Sequence, residues 1–253
     1  AVDVLRTMGI AKAVKRAGRA TNEGTIAAYV AESGKAGALL ELSCETDFVG
    51  TNPKFTAFAR DLARVVCESD PSDVEALKGC AMGKATVADA LTEMIHVIGE
   101  NMKIVRFQRV SVENGALSSY VHLGGKLADI VMFSFSNAAT AERDEFKTFA
   151  HDVAMQVAAS APVAARREDV PAQTIEREKA IYLAQATDSG RPEAIWETIA
   201  NGKLEKFYKQ IVLTEQVFIK DSSLTIFELA KRTSDACDDT IGIEGFVRFS
   251  FGE

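Results

Sequence analysis

The sequence predicts an α+β protein of two duplicated modules, each a small antiparallel sheet of about three strands packed with helices. Three observations support this fold class. The sequence repeats itself at an offset of 91 residues, each copy contains paired alternating segments around a Gly-Lys turn, and helical periodicity follows each pair. Sheets of this kind bury their apolar face against helices, which is the arrangement of an α+β fold.

The internal repeat superposes residues 24–71 on residues 115–162 without a gap. The identical pairs include Gly24/Gly115, Tyr29/Tyr120, Gly34/Gly125, Lys35/Lys126, Phe55/Phe146, Phe58/Phe149 and Pro71/Pro162. Self-similarity at a fixed offset is the signature of a duplicated structural unit. We therefore interpret the two stretches as copies of one module.

Each copy begins with two alternating apolar segments around its Gly-Lys turn, a pattern that predicts a β-hairpin. The segments are Thr25–Val30 and Ala38–Ser43 in the first copy, and Leu117–Val121 and Ile130–Phe135 in the second. A helix follows, because apolar residues recur at i, i+3, i+4 and i+7. These residues are Phe55, Phe58, Leu62, Val65 and Val66 in the first copy and Phe146, Phe149, Val153 and Val157 in the second.

The ends of the copies also match, with a short helix starting at Thr86 or Thr225 and a closing strand around Val105 or Val247. The offset of the closing strands is larger, so the second copy contains an insertion. Two polar helical runs, Gln173–Thr187 and Glu193–Gln210, flank a Ser-Gly-Arg-Pro stop and restart signal there.

The insertion therefore predicts an antiparallel helical hairpin of the coiled-coil kind over about 172–212. Its expected seam places Ile175, Ala180, Ile181 and Ala184 against Ile195, Ile199, Leu204 and Phe207. The predicted domain organisation is a linker helix over 1–20, a first core module over 21–112 and a second over 113–253, which includes the hairpin.

Composition narrows the function classes. The 253 residues are 47% hydrophobic and 26% charged, with a net charge of −7, which is ordinary for a globular protein and unfavourable for neutralising nucleic-acid phosphates. No apolar run reaches the length of a membrane helix, and no secretory signal pattern opens the sequence. Four cysteines without CxxC spacing suit a reducing cytoplasm and argue against structural zinc. We expect a cytoplasmic protein that binds neither membrane nor nucleic acid and holds no metal or cofactor.

The most informative local stretch is the corner between the second strand and the helix of the first module. A simple interpretation makes Thr46 or Asp47 a helix cap and Phe48 a hydrophobic staple. The second copy, however, has Ala138 and Ala139 where the first has Asp47 and Phe48. Since the fold does not need an acid and an aromatic ring at this corner, we interpret the pair as a presented recognition element.

Several motifs resemble those of the elongation factor Ts family, the nucleotide exchange factors of the translational GTPase elongation factor Tu. They are Cys44-Glu-Thr-Asp-Phe-Val49, Ile98-Gly-Glu-Asn101, Ser119-Tyr-Val-His-Leu123 and Gly245-Phe-Val-Arg-Phe249, together with Ile10–Gly18 and Val157–Ser160. The resemblance covers essentially the whole chain in collinear order. Family members normally begin with a compact helical domain of about 50 residues, and this sequence begins within what resembles the linker helix that follows it.

The resemblance implies a site without catalytic residues. In the family the Asp-Phe pair enters the nucleotide-binding domain of the GTPase near its Mg²⁺ ion. The implied contacts in that region are Thr46, Asp47, Phe48, Val49 and Ile98. His122 matches a family residue that approaches the phosphate-loop side, although on sequence alone an ordinary surface or turn-capping histidine is the better interpretation.

Two alternatives to an exchange factor remain open at this stage. One is a non-catalytic, translation-associated protein-binding module. The other is a small enzyme that uses Cys44 or His122, for which the sequence shows no acid–base partner. The implied partner is elongation factor Tu in its GDP-bound and nucleotide-free forms, with self-association left open.

Overall fold

The computed structural model describes residues 16–253, so most of the predicted linker helix over 1–20 lies outside the described residues. The chain divides into two compact units. The first reaches to Met132 and includes Val247–Glu253, and the second is Phe133–Phe246. The predicted module boundary after residue 112 follows the sequence repeat rather than compactness, and it stays a prediction.

The first half of the chain contains both strands and helices. In chain order they are β1 (Glu23–Val30), β2 (Ala36–Cys44), α1 (Asp47–Gly50), α2 (Pro53–Ser69), α3 (Val74–Gly79), β3 (Ala81–Met82), β4 (Ala85–Thr86), α4 (Val87–Ile98), β5 (Met102–Ser111), β6 (Gly115–His122) and β7 (Leu127–Ser134). A 3₁₀ turn, Leu123–Gly125, joins β6 to β7.

The second half repeats the helix and adds the hairpin. Its elements are α5 (Asp144–Ser160), α6 (Ala172–Thr187), α7 (Trp196–Ile211), β8 (Val217–Phe218), β9 (Asp221–Thr225), α8 (Ile226–Cys237) and β10 (Gly242–Ser250). A 3₁₀ turn at Ala138–Glu142 stands before α5.

The first sheet has the order β1-β2-β5, with both neighbours antiparallel to β2. The central strand β2 is buried on both faces, since Leu39, Leu40 and Leu42 all have no exposed surface. Successive side chains of a strand point to opposite faces. Leu40 and Leu42 accordingly join one core cluster and Leu39 joins another.

The first core cluster lies between the sheet and the helices of the first module. The residues of α2 that periodicity predicts to be apolar are all buried in it: Phe55, Phe58, Leu62, Val65 and Val66. The other cluster covers the opposite sheet face with residues of β6, β7 and the end of β10. The sheet built from those strands has the order β10-β7-β6, which repeats the strand order of the first module.

Helix ends confirm the duplication in detail. The helix α2 ends at a left-handed cap, Asp70, and α5 ends at a left-handed cap at the equivalent residue, Ala161. The helices α4 and α8 each begin with a capping box, formed by Thr86 with Asp89 and by Thr225 with Glu228. The predicted α+β fold with two related modules is therefore confirmed.

Four aromatic rings organise the core of the second unit. The ring of Phe133 meets those of Phe146 and Phe149 edge-on, with centroids 5.5 Å apart in each case. Phe135 meets Phe146 at 5.2 Å. Edge-to-face pairs of this kind add stabilisation beyond the burial of their surface. The predicted helix face of α5 thus packs as expected.

The inserted hairpin consists of α6 and α7, which pack against each other. The predicted seam is partly wrong. Ala180, Ile181, Ala184 and Ile195 are exposed, whereas Tyr182 and Leu183 are half-buried and Ala186 is buried. Counting three or four residues at a time from Ile175 leads to Lys179, Tyr182 and Ala186. The predicted seam therefore started at the correct residue and then continued on the neighbouring stripe of the helix.

None of the described helices is long and apolar enough to cross a bilayer.

Candidate functional site

The strand-to-helix corner of the first module is a separate four-residue helix, α1, which the sequence did not predict. Thr46 is its N-cap, so the prediction of a cap at this corner is correct. The staple interpretation of Phe48 is wrong, because its side chain is 84% exposed. Val49 instead turns inward and is 9% exposed. The carboxylate of Asp47 accepts a hydrogen bond from the backbone N–H of Phe48 at 2.9 Å, so it stands at the surface beside the exposed ring.

A glycine contact seats α1 on the sheet. Gly50, the last residue of α1, lies against the backbone of Gly24 at the start of β1, and a Cβ on Gly50 would be 3.3 Å from the carbonyl oxygen of Gly24. Gly24 itself has φ +152°, and a Cβ there would overlap the carbonyl oxygen of Leu42. The absence of both side chains therefore lets the helix approach the strand backbone.

A pair of reciprocal carboxylate contacts fixes the corner from the other side. Glu100 Oε2 accepts from the backbone N–H groups of Glu45 at 3.1 Å and Thr46 at 3.0 Å, and its Oε1 accepts from the Thr46 hydroxyl at 2.6 Å. In return, Glu45 Oε1 accepts from the backbone N–H of Asn101 at 2.6 Å. Charge-assisted hydrogen bonds are among the strongest in proteins. These hydrogen bonds therefore join the Cys44–Val49 motif to the Ile98–Asn101 motif.

Ile98, the other predicted contact of this region, is the last residue of α4. It is half-buried and packs on the first core cluster. The helix ends at Gly99 with φ +93°, and the next residue is Glu100. Ile98 therefore shortly precedes Glu100 in the sequence. Glu100 connects this segment to the corner through its bonds to Glu45 and Thr46. Sequence reasoning missed Glu100, although the Ile98–Asn101 motif contains it.

His122 ends β6 and is exposed. Its Nδ1 is 3.1 Å from the Tyr120 hydroxyl, and the two rings stack with centroids 5.8 Å apart. The following residue, Leu123, is 72% exposed and has φ +49°. A left-handed non-glycine residue costs roughly 1–2 kcal/mol, and an exposed leucine gains little in return. This combination marks the turn as a second candidate contact surface, and Leu123 as a residue that the sequence did not single out.

The structure brings both candidate surfaces to the same strand. Gly50 of the Phe48 corner lies on Gly24, and Gly125 of the His122 turn lies on the next residue, Thr25. A cavity of about 250 Å³ is lined by Thr25–Ala28 of β1, by Thr56 and Arg60 of α2, and by Val121, Gly124 and Gly125 around the turn. The predicted contacts of the Mg²⁺ side and the phosphate-loop side are therefore seated on adjacent residues of β1.

The equivalent corner in the second module has the same kind of carboxylate contact with its backbone, but it lacks the Asp-Phe pair. Asp239, which follows the left-handed end of α8 as Glu100 follows that of α4, accepts from the backbone N–H groups of Ser136 and Asn137 at 3.2 and 3.0 Å. The Ser136 and Thr140 hydroxyls also donate to it, at 2.6 Å each, and these hydrogen bonds hold the pKa of Asp239 far below its ordinary value. Exposed Ala139 stands where the first module presents Phe48.

The alternative of a cysteine- or histidine-dependent enzyme finds little support in the geometry. Cys44 is fully buried, its thiol donates to the carbonyl oxygen of Thr46, and burial raises its pKa to about 12, so it is a poor nucleophile. His122 pairs with a tyrosine rather than with a nucleophile. Residues 16–253 contain no group of three or more His, Cys, Asp and Glu side chains that could hold a metal ion. A larger groove of about 640 Å³ in the second unit contains none of the predicted site residues.

Comparison with known proteins agrees with these motifs. A sequence model of the family described as "Elongation factor TS" matches residues 45–253. The chain is 41% identical over 256 residues to an elongation factor Ts of Trichlorobacter lovleyi and 39% identical over 254 residues to that of Clostridium botulinum. An elongation factor Ts of Clostridium perfringens is 41% identical over 254 residues. In each case the match covers 100% of this chain and 82% of the relative.

The duplicated fold, the joined motifs and these matches over the whole of this chain define it as a translation elongation factor, which acts in protein biosynthesis. Among such factors, the chain belongs to the elongation factor Ts family. The resemblance stated from the motifs is thereby confirmed. The individual site residues remain predictions.

Proposed function

We propose that the protein is a guanine nucleotide exchange factor for elongation factor Tu, and that Asp47 and Phe48 form its principal contact near the Mg²⁺ site of that GTPase. One observation carries the proposal. In a chain of this family, Phe48 is 84% exposed on a short helix that is anchored on two sides, and the second module has alanine at the equivalent position. A large exposed ring on a fixed support is the form of a binding anchor.

Nucleotide exchange needs no covalent chemistry. With this proposed function, the protein is not an enzyme that makes or breaks bonds in its partner. The physical basis is linkage. A factor that binds the nucleotide-free GTPase more tightly than the GDP-bound form must weaken GDP binding by the same ratio. Phe48 inserted among partner side chains displaces a helix there, and Asp47 adds a directed charge. Disturbing the Mg²⁺ shell then leaves the phosphate charges of GDP less well compensated.

The free energy gained by burying the Phe48 side chain is large enough to weaken GDP binding substantially. Burying a phenylalanine side chain contributes about 1.5–3 kcal/mol, and each 1.4 kcal/mol changes an equilibrium about tenfold. If the ring is buried in the nucleotide-free complex alone, the GDP affinity falls roughly ten- to a hundredfold from this residue. The remaining coupling comes from the His122 turn, which we propose contacts the phosphate-loop side, and from Ile98, Thr46 and Val49, which support the corner.

The rest of the chain supplies additional interface surface for binding the partner. Specific, dissociable interfaces bury about 1,200–2,000 Å² in total, more than one ring and one turn provide. The second module and the helical hairpin offer that additional surface. We propose that the factor works in the cytoplasm and contacts its GTPase rather than nucleic acid, in agreement with its net charge of −7.

The test is release of a fluorescent GDP analogue from purified elongation factor Tu. We expect acceleration at catalytic concentrations of the factor, with the maximal rate reduced at least about tenfold by Phe48→Ala and also reduced by Asp47→Ala. Phe227→Ala is the matched control, because this ring is 63% exposed but lies in the second unit. Because Phe227 lies on the module proposed to add binding surface, its loss is allowed to weaken affinity, but the maximal rate of the variant at saturating partner concentration should equal that of the parent.

Two outcomes would contradict the proposal in different ways. A parent protein that binds the GTPase without accelerating GDP release would favour the non-catalytic binding module. A Phe48→Ala variant as active as the parent would refute the assignment of the site, even with exchange established.

A further inference from the structure

We propose that Glu100 is the positioning residue of the exchange site, and that it acts by holding the Asp47–Phe48 corner in its presented geometry. This inference rests on the proposed function of that corner. Glu100 itself is not placed against the partner. Its carboxylate is committed to the backbone of Glu45 and to Thr46, so its effect on the partner passes through Phe48.

The helix that bears Phe48 cannot hold itself. With four residues, α1 is shorter than a stable helix in isolation, since helix nucleation is unfavourable and isolated helices below about 12 residues are marginal. Phe48 contributes nothing to its stability, because the ring is exposed. The position of α1 therefore depends on buried Val49, on the contact of Gly50 with Gly24, and on the residues that bind its N-terminal end.

Glu100 is the main contact at that N-terminal end. It receives three hydrogen bonds, from two successive backbone N–H groups and one hydroxyl. The cap bond within α1, from Val49 N–H to the Thr46 hydroxyl oxygen, is long at 3.5 Å. Because the Thr46 hydroxyl donates to Glu100 while it accepts this bond, the carboxylate also orients the cap. The reciprocal bond from Asn101 N–H to Glu45 closes the connection, and Asn101 is only 2% exposed.

The second module provides an internal control for this assignment. Asp239 makes the same two backbone contacts at the equivalent residues, Ser136 and Asn137, and it also binds two hydroxyls. That corner presents Ala139 instead of an aromatic ring. Each carboxylate therefore stabilises its own corner, but only Glu100 supports a corner that presents a recognition residue. A purely structural role predicts equal consequences for both carboxylates, whereas a positioning role predicts that only Glu100 affects exchange.

The experiment compares Glu100→Ala, Glu100→Gln and Asp239→Ala in full-length protein. Amide hydrogen exchange at residues 46–49 should become roughly tenfold or more faster in Glu100→Ala, because hydrogen bonds to a charged acceptor are lost. The maximal rate of GDP release should fall by roughly tenfold, since small misplacements of an acting group are costly. Glu100→Gln keeps one acceptor oxygen and should be intermediate. Asp239→Ala should loosen residues 136–140 and leave the maximal rate at the parental value.

A double variant makes the test specific to Phe48. If Glu100 acts mainly through the ring, Glu100→Ala should cause a smaller further loss of GDP release in a Phe48→Ala background than in the parent, and the remaining loss is that of Asp47. Equal losses with and without the ring, unchanged protection of residues 46–49, or an equal loss of release in Asp239→Ala would each overturn the positioning role. A parent that does not accelerate GDP release would refute the proposed function instead, and amide exchange would still report whether Glu100 holds the corner.

Discussion

Gly125 lies so close to Thr25 that a Cβ at Gly125 would overlap the Thr25 hydroxyl oxygen and approach the Ile26 carbonyl oxygen to 3.2 Å. Gly125 also has φ +93°, which L-residues rarely adopt. The turn that follows His122 is therefore seated on β1 through the absence of a side chain.

We predict that Gly125→Ala destabilises the protein by about 2–4 kcal/mol, from backbone strain and overpacking together. The repeat supplies the control, because Gly34 is the equivalent residue and has φ +68° with nothing within 4 Å of its added Cβ. Gly34→Ala should cost about 1–2 kcal/mol from strain alone. Urea unfolding of both variants measures the difference. Equal costs would show that the contact with Thr25 is readily relieved.

Phe48 and Phe55 are seven residues apart and should respond oppositely to truncation. Phe48 is 84% exposed and Phe55 is fully buried. Phe48→Ala should change the free energy of unfolding by no more than about 0.5 kcal/mol, whereas Phe55→Ala should cost about 3–5 kcal/mol. Phe146→Ala, at the repeat-equivalent of Phe55, should behave as Phe55→Ala does. A Phe48→Ala variant with a large loss of stability would mean that the ring packs on its own chain in solution.

Asp129 makes stability depend on pH. Its side chain is fully buried in β7, both carboxylate oxygens are without a hydrogen-bond partner in the described part of the chain, and burial raises its pKa from 3.8 to about 8 against the opposing effect of Arg248. The folded state thus holds a proton that the unfolded state releases above pH 3.8. The stabilisation is fully present below that pH and is lost as pH rises towards 8.

We therefore predict that the free energy of unfolding of the parent falls between pH 5 and pH 8, by up to about 1.4 kcal/mol per pH unit relative to Asp129→Asn. The variant cannot titrate at this position, so the difference between the two profiles isolates Asp129. Urea unfolding at half-unit intervals of pH measures it. Parallel profiles would show that the carboxyl is solvated or paired in solution.

The buried thiol of Cys44 should resist modification. Its pKa is raised to about 12, mainly by burial, while Cys80 is half-buried and nearer the surface. Iodoacetamide at pH 8 should label Cys80 first and Cys44 only on unfolding, as followed by peptide mass spectrometry. Rapid labelling of Cys44 in the folded protein, with parallel loss of function, would restore the cysteine-enzyme alternative.

The Asp47–Phe48 corner shows how far sequence reasoning reached. The cap at Thr46 was predictable because it joins residues three positions apart, and comparison with Ala138 and Ala139 indicated that the pair is not needed by the fold. The exposure of Phe48 was not predictable from spacing, because the same pattern equally describes a hydrophobic staple. Whether a ring folds inward depends on which surface stands beside it, and that surface comes from elsewhere in the chain.

The sequence by itself determined the fold class, the duplicated modules, the starts of α4 and α8 and the approximate extents of the two hairpin helices. These features depend on periodicity, turn residues and caps, which act over a few neighbouring positions. Only the tertiary structure decided that Glu100 binds Thr46, that Gly125 rests on Thr25 and that Asp129 is buried without a partner. Such contacts join residues distant in sequence, and they depend on how sheets and helices pack, which no local pattern specifies.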